Sequence, residues 1–570
     1  MHTMARSTRH CLSVLFALLL GCQGGQSETL PRATQLSPYL AAAVKVSVVP
    51  NQSQIEGEEE PRLGGQTTLQ NFHLGGFGIG PLQTFPDPIN VDLTEPAGAP
   101  VHVNEQGLEE PTYLRLMLLR DERNGAQVSF VSLDAVGAGN LIQQQVKQAI
   151  VEVIGGAVED VLFGQTHTHA GADLQGLWGG VPQSWVADLV TAASQAASQA
   201  QAALEPARLT LQQAELEAFN NYRRPRVDID AEADLTASLL RAWAADDDRV
   251  VGSVLQYNAH PTSVGTGEDP RVPHADYIHG AMETLEADGG SAVYFNGPIA
   301  DASPSGGSCE GTVYVRVYCR GAELANAILQ APMLTLDGEL SSRHATVYLP
   351  ITNPIFLAAG LIGSFNRYYN FTELPIAELP LLGDELLNLP QAAPYAVTTV
   401  SRVSMGEQLE IVTMPGEATN TFGEYIQRLA GPTPVMLLGL THNSFGYIIP
   451  EEEFSYIDET GDAGFTLPFT SYEEYVSMGP LTAPLLRMQA YAPLFDAEPL
   501  AYAPPSLVAC AQPDDQQRCY LQAIVDRLGY IQRGYYQRCI DTFGEDNAFC
   551  ALLAPNGAER GGLLNVEFQY

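Results

Sequence analysis

Three consecutive stretches decide the fold: QVSFVSLDAV (residues 127–136), LIQQQVKQAIVEV (141–153) and DVLFGQTHTH (160–169). The first is rich in β-branched and apolar residues and reads as a buried strand. The second carries Ile142, Val146, Ile150 and Val153 at helical spacing. The third is a strand over residues 160–165 that runs directly into His167-Thr168-His169. A Gly-rich loop and an Ala-rich helical stretch, residues 185–204, follow. This order of strand, helix, strand and helix predicts an α/β protein, with a largely parallel or mixed sheet flanked by helices.

The same grammar recurs downstream. A strand over 249–257 ends at Asn258-Ala259-His260-Pro261-Thr262-Ser263, and one over 291–295 leads to Asp301-Ala302-Ser303-Pro304. A strand over 408–413 runs into Met414-Pro415-Gly416-Glu417, and one over 434–440 ends near His442 and Tyr447. In open α/β sheets, ligands gather beyond the carboxyl ends of strands. His167, His169, His260, Ser303, Glu417 and Tyr447 all fall just past such ends, which makes them one candidate site. Residues 357–396 are Pro- and Leu-rich without a clear period and read as a long excursion. The catalytic domain is expected over residues 41–500.

Composition narrows the function classes. The chain has 570 residues, 45% hydrophobic and only 16% charged, enough for a sizeable core. Its 28 basic and 66 acidic residues give a net charge of −38, and Lys45 and Lys147 are its two lysines. Such a field repels phosphate backbones, which argues against a nucleic-acid partner, and it opposes docking on anionic lipid.

Residues 1–22 read as a lipoprotein signal, in which Leu19-Leu20-Gly21-Cys22 resembles the bacterial lipobox. Cys22 is then the lipidation site and residues 23–40 a tether. The expected location is the bacterial envelope or cell surface, with the membrane reached through an N-terminal lipid anchor. Without Cys11 and Cys22, six cysteines remain. An even set in an exported protein implies up to three disulfides. Proximity favours Cys309 with Cys319. Cys510, Cys519, Cys539 and Cys550 would staple a small helical segment over 501–570. The sequence points to no protein partner.

The histidines carry the chemistry. In an extended segment, side chains two apart share a face, so His167 and His169 can meet one metal, or one can bind while the other moves protons. With His260 and Glu417 they make a nitrogen and oxygen donor set suited to Zn²⁺. Zinc with an open position lowers the pKa of bound water toward ~7 and polarises a carbonyl, which points to hydrolysis. Amidohydrolase barrels that bridge two metals with a lysine downstream of their HxH are excluded, because no lysine follows His169. No GxSxG elbow and no HExxH segment is present.

Residues 161–171, with Thr166-His167-Thr168-His169-Ala170-Gly171 at their centre, resemble the THTHSG segment of the neutral/alkaline ceramidase family. The similar blocks continue in order with Asn258-Ala259-His260-Pro261-Thr262-Ser263, Asp301-Ala302-Ser303-Pro304, Pro415-Gly416-Glu417 and Gly446-Tyr447. Phe130-Val131-Ser132-Leu133-Asp134 and Asn220-Asn221-Tyr222-Arg223-Arg224-Pro225 resemble two further blocks.

The resemblance implies a hydrolase with one Zn²⁺ per chain that cleaves the N-acyl bond of ceramide, or a related lipid amide, to fatty acid and sphingoid base. It implies His167, His260, Glu417 and Tyr447 as zinc ligands and His169 as the proton-transferring histidine. Ser303 and Arg223 would line the site, and Tyr472 would supply a second tyrosine. His442-Asn443-Ser444-Phe445 departs from the family's usual Ala-Asn-Ser/Ala-Tyr, so the floor of the site is expected to be altered. Two other readings stand beside this one: a non-catalytic surface lipoprotein that binds a partner, and zinc hydrolysis of another N-acyl amine or an ester.

Overall fold

The structure is a computed structural model and is described here for residues 38–61, 67–76, 112–223, 233–264, 273–353, 356, 368–369, 372–375, 392–454, 472–498, 540 and 544–545. Cys22, residues 23–37 of the expected tether, Cys510, Cys519, Cys539, Cys550 and nearly all of 501–570 lie outside these residues. The tether expected to run to residue 40 is shorter, because Tyr39 and Leu40 already belong to a strand, Tyr39–Ser47, that pairs on both sides.

A nine-stranded sheet forms the framework. Eight strands run in the order Ser291–Asn296, Val250–Tyr257, Thr236–Ala244, Glu205–Glu215, Tyr39–Ser47, Tyr113–Asp121, Gln127–Leu133 and Val161–Gln165, and Met333–Leu336 pairs with Glu205–Glu215. The middle of the sheet is antiparallel. Parallel pairing occurs at its two ends, Val250–Tyr257 with Ser291–Asn296 and Gln127–Leu133 with Val161–Gln165. The expected mixed sheet is therefore present, with its parallel pairs confined to the edges.

The two ends meet. Asn296 Nδ2 donates to the Gln165 carbonyl at 2.9 Å, and the rings of Phe130 and Phe295 lie edge to face at 6.4 Å. Met117, Phe130, Leu162, Leu240, Val254 and Val293 share one buried cluster, so the sheet folds over on its own apolar interior. This brings the chain following Gln165 beside the chain following Tyr257, although the two strands are almost at opposite ends of the sheet.

Helices cover the outside. Asn140–Ile154 buries Ile142, Val146 and Ile150 of the stripe its spacing predicts, with Ile154 buried in place of the partly buried Val153, and packs with the longer Gln183–Ala203. Tyr277–Glu286 and Val313–Ile328 cover the other side with backbones in close approach. A Cβ on Gly321 would lie 1.7 Å from the Tyr277 carbonyl oxygen, and one on Gly280 2.0 Å from that of Tyr318. Gly321→Ala is therefore expected to destabilise the fold by about 3 kcal/mol, because no flexible side chain can yield. The urea midpoint checks this. Beside the crossing, Cys309 and Cys319 form the expected disulfide.

A second sheet, Leu340–Pro350, Ala392–Met405, Glu410–Thr413 and Val435–Leu438 with Thr372–Pro375 at its side, completes the core. Among the described residues its one parallel pair is Glu410–Thr413 with Val435–Leu438. Of the excursion expected over 357–396, few residues are described; Tyr368 and Tyr369 are buried in the core.

One expected strand divides. Residues 127–136 supply Gln127–Leu133 to the large sheet, and Ala135–Ala138 pairs instead with Ala172–Leu174. The break falls at Asp134, whose Oδ2 accepts from Tyr113 N at 2.8 Å and Arg115 Nη1 at 2.6 Å. A buried carboxylate that binds a neighbouring strand's amide and a guanidinium turns the chain out of the sheet.

Candidate metal centre

His167 follows the edge strand Val161–Gln165 and adopts φ 63°, a left-handed conformation rare outside glycine. Strand alternation therefore does not bring His167 and His169 together, as the sequence reading supposed. A kink does so, and their rings meet edge to face with centroids 5.0 Å apart. The kink is held from behind: His167 N donates to the Ala135 carbonyl at 2.9 Å, and Nδ1 contacts the Val136 carbonyl at 2.5 Å. His260, after Val250–Tyr257, is fixed the same way, with Nδ1 2.9 Å from the Ile299 carbonyl and N donating to Ala302 O at 3.1 Å.

These backbone contacts determine what the inner nitrogens present. A ring whose Nδ1 hydrogen is given to a carbonyl offers a lone pair at Nε2. The two Nε2 atoms stand 2.8 Å apart, and Glu417 Oε2 lies 3.3 Å from His167 Nε2 and 3.2 Å from His260 Nε2. Three acceptors thus converge in a buried place, an arrangement that repels itself until a cation lies between them. Burial opposes the charge of Glu417, but when the imidazoles carry protons toward it, in place of a metal, their charge and hydrogen bonds outweigh burial and hold the carboxyl well below its usual range. Two nitrogens and a carboxylate suit Zn²⁺, so the residues present fit the metal the sequence reading implied.

Glu417 and Tyr447 arrive together, because Glu417–Ala418 and Tyr447–Ile448 pair in parallel. The Tyr447 ring lies 6.2 Å from that of His260. Burial, and then the charge of Glu417, push its phenol well above the ordinary value, so it stands as a neutral donor. Tyr472 packs edge to face on Tyr447 at 5.9 Å. His169 has ring nitrogens within 4.8 Å of those of His167 and His260. Burial first, then these two neighbours, hold its pKa well below that of a free imidazole.

A cavity of about 40 Å³ opens beside the cluster, lined by the polar His167, His169, Glu417, Tyr447 and Tyr472 and by the apolar Val136, Leu177, Trp178, Phe356, Phe445 and Val476. Ser303 and Arg223 do not line it. Ser303 sits in a short strand opposite Asn221, and Arg223 N donates to Asp301 O at 2.5 Å. They flank the cluster from the side of His260.

The aromatic wall was not legible in the sequence. Trp178 belongs to a loop organised by Asp173, whose Oδ1 accepts from Gln175 N and Gly176 N while Oδ2 accepts from Trp178 N and Gly180 N, at 2.7–3.1 Å. An acidic residue among glycines, Ala172-Asp173-Leu174-Gln175-Gly176-Leu177-Trp178-Gly179-Gly180, was the available signal.

No protein-family model and no curated protein sequence matches the chain. Solved structures do. The crystal structure of neutral ceramidase from Pseudomonas aeruginosa superposes with a TM-score of 0.54 at 18% identity, over 81% of this chain and 74% of that one. The chain shares the neutral ceramidase fold. A ceramidase complexed with C2 gives a TM-score of 0.55, also at 18% identity, over 84% and 77% of the two chains. In this ceramidase fold, His167 and His260, from the ends of the curled sheet, meet Glu417 and Tyr447, which follow strands of the second sheet, while Ser303 and Arg223 stay outside the cavity lining.

Proposed function

We propose that the protein is a zinc-dependent amide hydrolase that cleaves the N-acyl bond of ceramide or a related lipid amide, releasing a fatty acid and an amine. The observation that carries this reading is the meeting of His167 Nε2, His260 Nε2 and Glu417 Oε2 within 2.8–3.3 Å of one another, their remaining contacts holding the lone pairs inward. Zn²⁺ held by these three, with Tyr447 as the adjoining oxygen, would polarise an amide carbonyl and make water nucleophilic at neutral pH.

The chain's own groups supply the rest. His169 stands beside the ligand pair and would pass a proton to the amine as the C–N bond breaks, which an amide requires because its leaving group is poor. The neutral phenol of Tyr447, with the Tyr472 hydroxyl beside it, can donate toward the oxygen on which negative charge develops. Ser303 and Arg223, on the His260 side, would hold polar parts of the substrate. Trp178, Phe356, Phe445 and Val476 offer an apolar wall to an acyl chain.

Release of fatty acid from a short-chain fluorescent ceramide tests this reading, with zinc added and then withdrawn by a chelator. Turnover that vanishes with chelation and returns with zinc is expected. A zinc-loaded protein that leaves ceramide intact would move the assignment to another N-acyl amine or an ester, the reading favoured by His442 at the position where the resembled segment has alanine.

We further propose that Cys22 carries the lipid anchor and that the enzyme works at the bacterial envelope. Labelling with a radioactive fatty acid, abolished by Cys22→Ala, is the expected result. Among the described residues, no helix is long and apolar enough to cross a membrane.

A further inference from the structure

Behind the wall of the metal centre lies a chain of polar groups that the proposed reaction does not use. Lys147, on Asn140–Ile154, is buried, and its Nζ lies 2.9 Å from His442 Nδ1. His442 Nε2 lies 2.7 Å from Ser401 Oγ, which in turn lies 2.9 Å from His344 Nδ1. His344 Nε2 ends the chain 3.0 Å from Asp160 Oδ1, where both side chains are about a fifth exposed. The contacts connect a helix, a turn, two strands and a 3-10 turn, with up to 295 residues between partners.

The donor and acceptor roles are consistent along its whole length. An ammonium only donates, so His442 Nδ1 accepts and its proton sits on Nε2. That proton goes to Ser401 Oγ, whose hydroxyl lies 2.9 Å from His344 Nδ1 and 3.2 Å from the Glu159 carbonyl and donates to one of them at a time. His344 then carries its proton on Nε2 and gives it to the carboxylate of Asp160. With the Ser401 hydroxyl turned to His344, the closer of its two acceptors, each group passes one hydrogen bond onward in the same direction, from a buried cation to a surface anion. A lysine and an aspartate too far apart to touch are joined by three intervening groups that can each accept and release a proton.

The buried end abuts the site. His442 takes φ 70°, and its N donates to the Phe163 carbonyl in the strand that leads to His167. Two residues on, Ser444 lines the cavity, and the same turn delivers Tyr447.

We propose that Lys147, His442, Ser401, His344 and Asp160 form a directional proton relay linking the back of the metal-site wall to the protein surface. Through it, the protonation of Lys147 positions the turn that bears Ser444 and Tyr447. The relay rests on the contacts among its five members. Its effect on turnover rests also on the reading of the site as a hydrolase.

The surrounding charges allow this role. Glu159 and Asp160 are the acidic groups that act on Lys147, and burial outweighs them to bring its pKa down to about 8. Burial, then Lys147 and His344, keep His442 well below the usual imidazole value, so it remains neutral and able to relay. Arg343 and Arg402, beside His344 and Ser401 in sequence, pair elsewhere, with Asp496 and Glu410.

The two lysines of the chain make the test direct, because Lys45 pairs with Glu286 near the surface and serves as an internal control. Competitive labelling of the purified protein with an amine-selective acylating reagent, read by mass spectrometry between pH 6 and 11, gives a midpoint for each lysine. Lys147 is expected to titrate near pH 8, below the ordinary lysine value. Asp160→Asn should lower the Lys147 midpoint, and most of that shift should disappear in the Ser401→Ala background, because the path has been cut. An undiminished shift in that background would show a plain field effect and overturn the relay, as would a Lys147 midpoint at the ordinary lysine value. In turnover, the alkaline limb of kcat should move with the labelled midpoint across these variants. A limb that stays fixed would overturn the link to the site. The labelling can be read even from a protein that hydrolyses no ceramide, so a failed substrate assignment and a failed relay are distinguishable.

Discussion

His167→Asn is expected to lose its metal and to reduce amide hydrolysis by about 10³-fold or more, equivalent to roughly 4 kcal/mol in the barrier. Asparagine is chosen because position 167 has φ 63°. Asparagine tolerates this left-handed conformation, whereas alanine would add backbone strain unrelated to the metal. The loss then reports the imidazole alone. Removing His167 leaves His260 Nε2 and Glu417 Oε2, 3.2 Å apart, as the remaining close pair. Two donors hold zinc far less tightly than three and do not fix its open position. His260→Ala, at a position without that strain, should match the effect. A variant that keeps its metal and most of its turnover would remove His167 from the centre.

The second large effect is on stability. Asp134→Ala is expected to cost about 3–5 kcal/mol, read as a lower urea midpoint, because it strands Arg115 without its partner. Both side chains are buried, with Nη1 and Oδ2 at 2.6 Å, and Oδ2 also takes the amide of Tyr113. The paired replacement Arg115→Met with Asp134→Leu should cost less than either single change, since an apolar pair leaves no buried charge unmatched. The same variants probe the site from behind. Asp134 directs the chain out of the large sheet just before Ala135 and Val136, whose carbonyls hold His167. Zinc affinity should therefore fall together with stability in Asp134→Ala.

Local chemistry explains what was legible in the sequence. The helix over Asn140–Ile154 and the strands ending at Gln165 and Tyr257 follow from periodicity within short windows, and their ends hold because turn residues follow them. The gathering of His167, His260 and Glu417 was foreshadowed by one rule, that ligands collect beyond the ends of strands. How they gather was not visible. Alternation along a strand would have paired His167 with His169, whereas the structure uses a kink set by two carbonyls 31 and 32 residues earlier in the chain.

Contacts over longer separations were beyond reach for the same reason. The folding over of the large sheet depends on interior residues of many strands, and no local pattern announces it. Ser303 and Arg223 stand near the cluster in sequence order but outside the cavity wall, because position after a strand fixes a neighbourhood and not a direction. Trp178 reaches that wall through the four amides that Asp173 collects, a feature set by loop geometry. Lys147 and His442, each unremarkable alone, acquire meaning only when the fold brings them within 2.9 Å.

The most direct test of the metal centre is elemental analysis of the protein purified without chelators and dialysed after zinc supplementation, with His167→Asn prepared alongside. About one zinc per chain in the natural sequence, and a small fraction of that in the variant, is the predicted result. A natural sequence that holds no zinc after supplementation, or a variant that holds as much as its parent, would contradict the assignment of His167, His260 and Glu417 as a metal site.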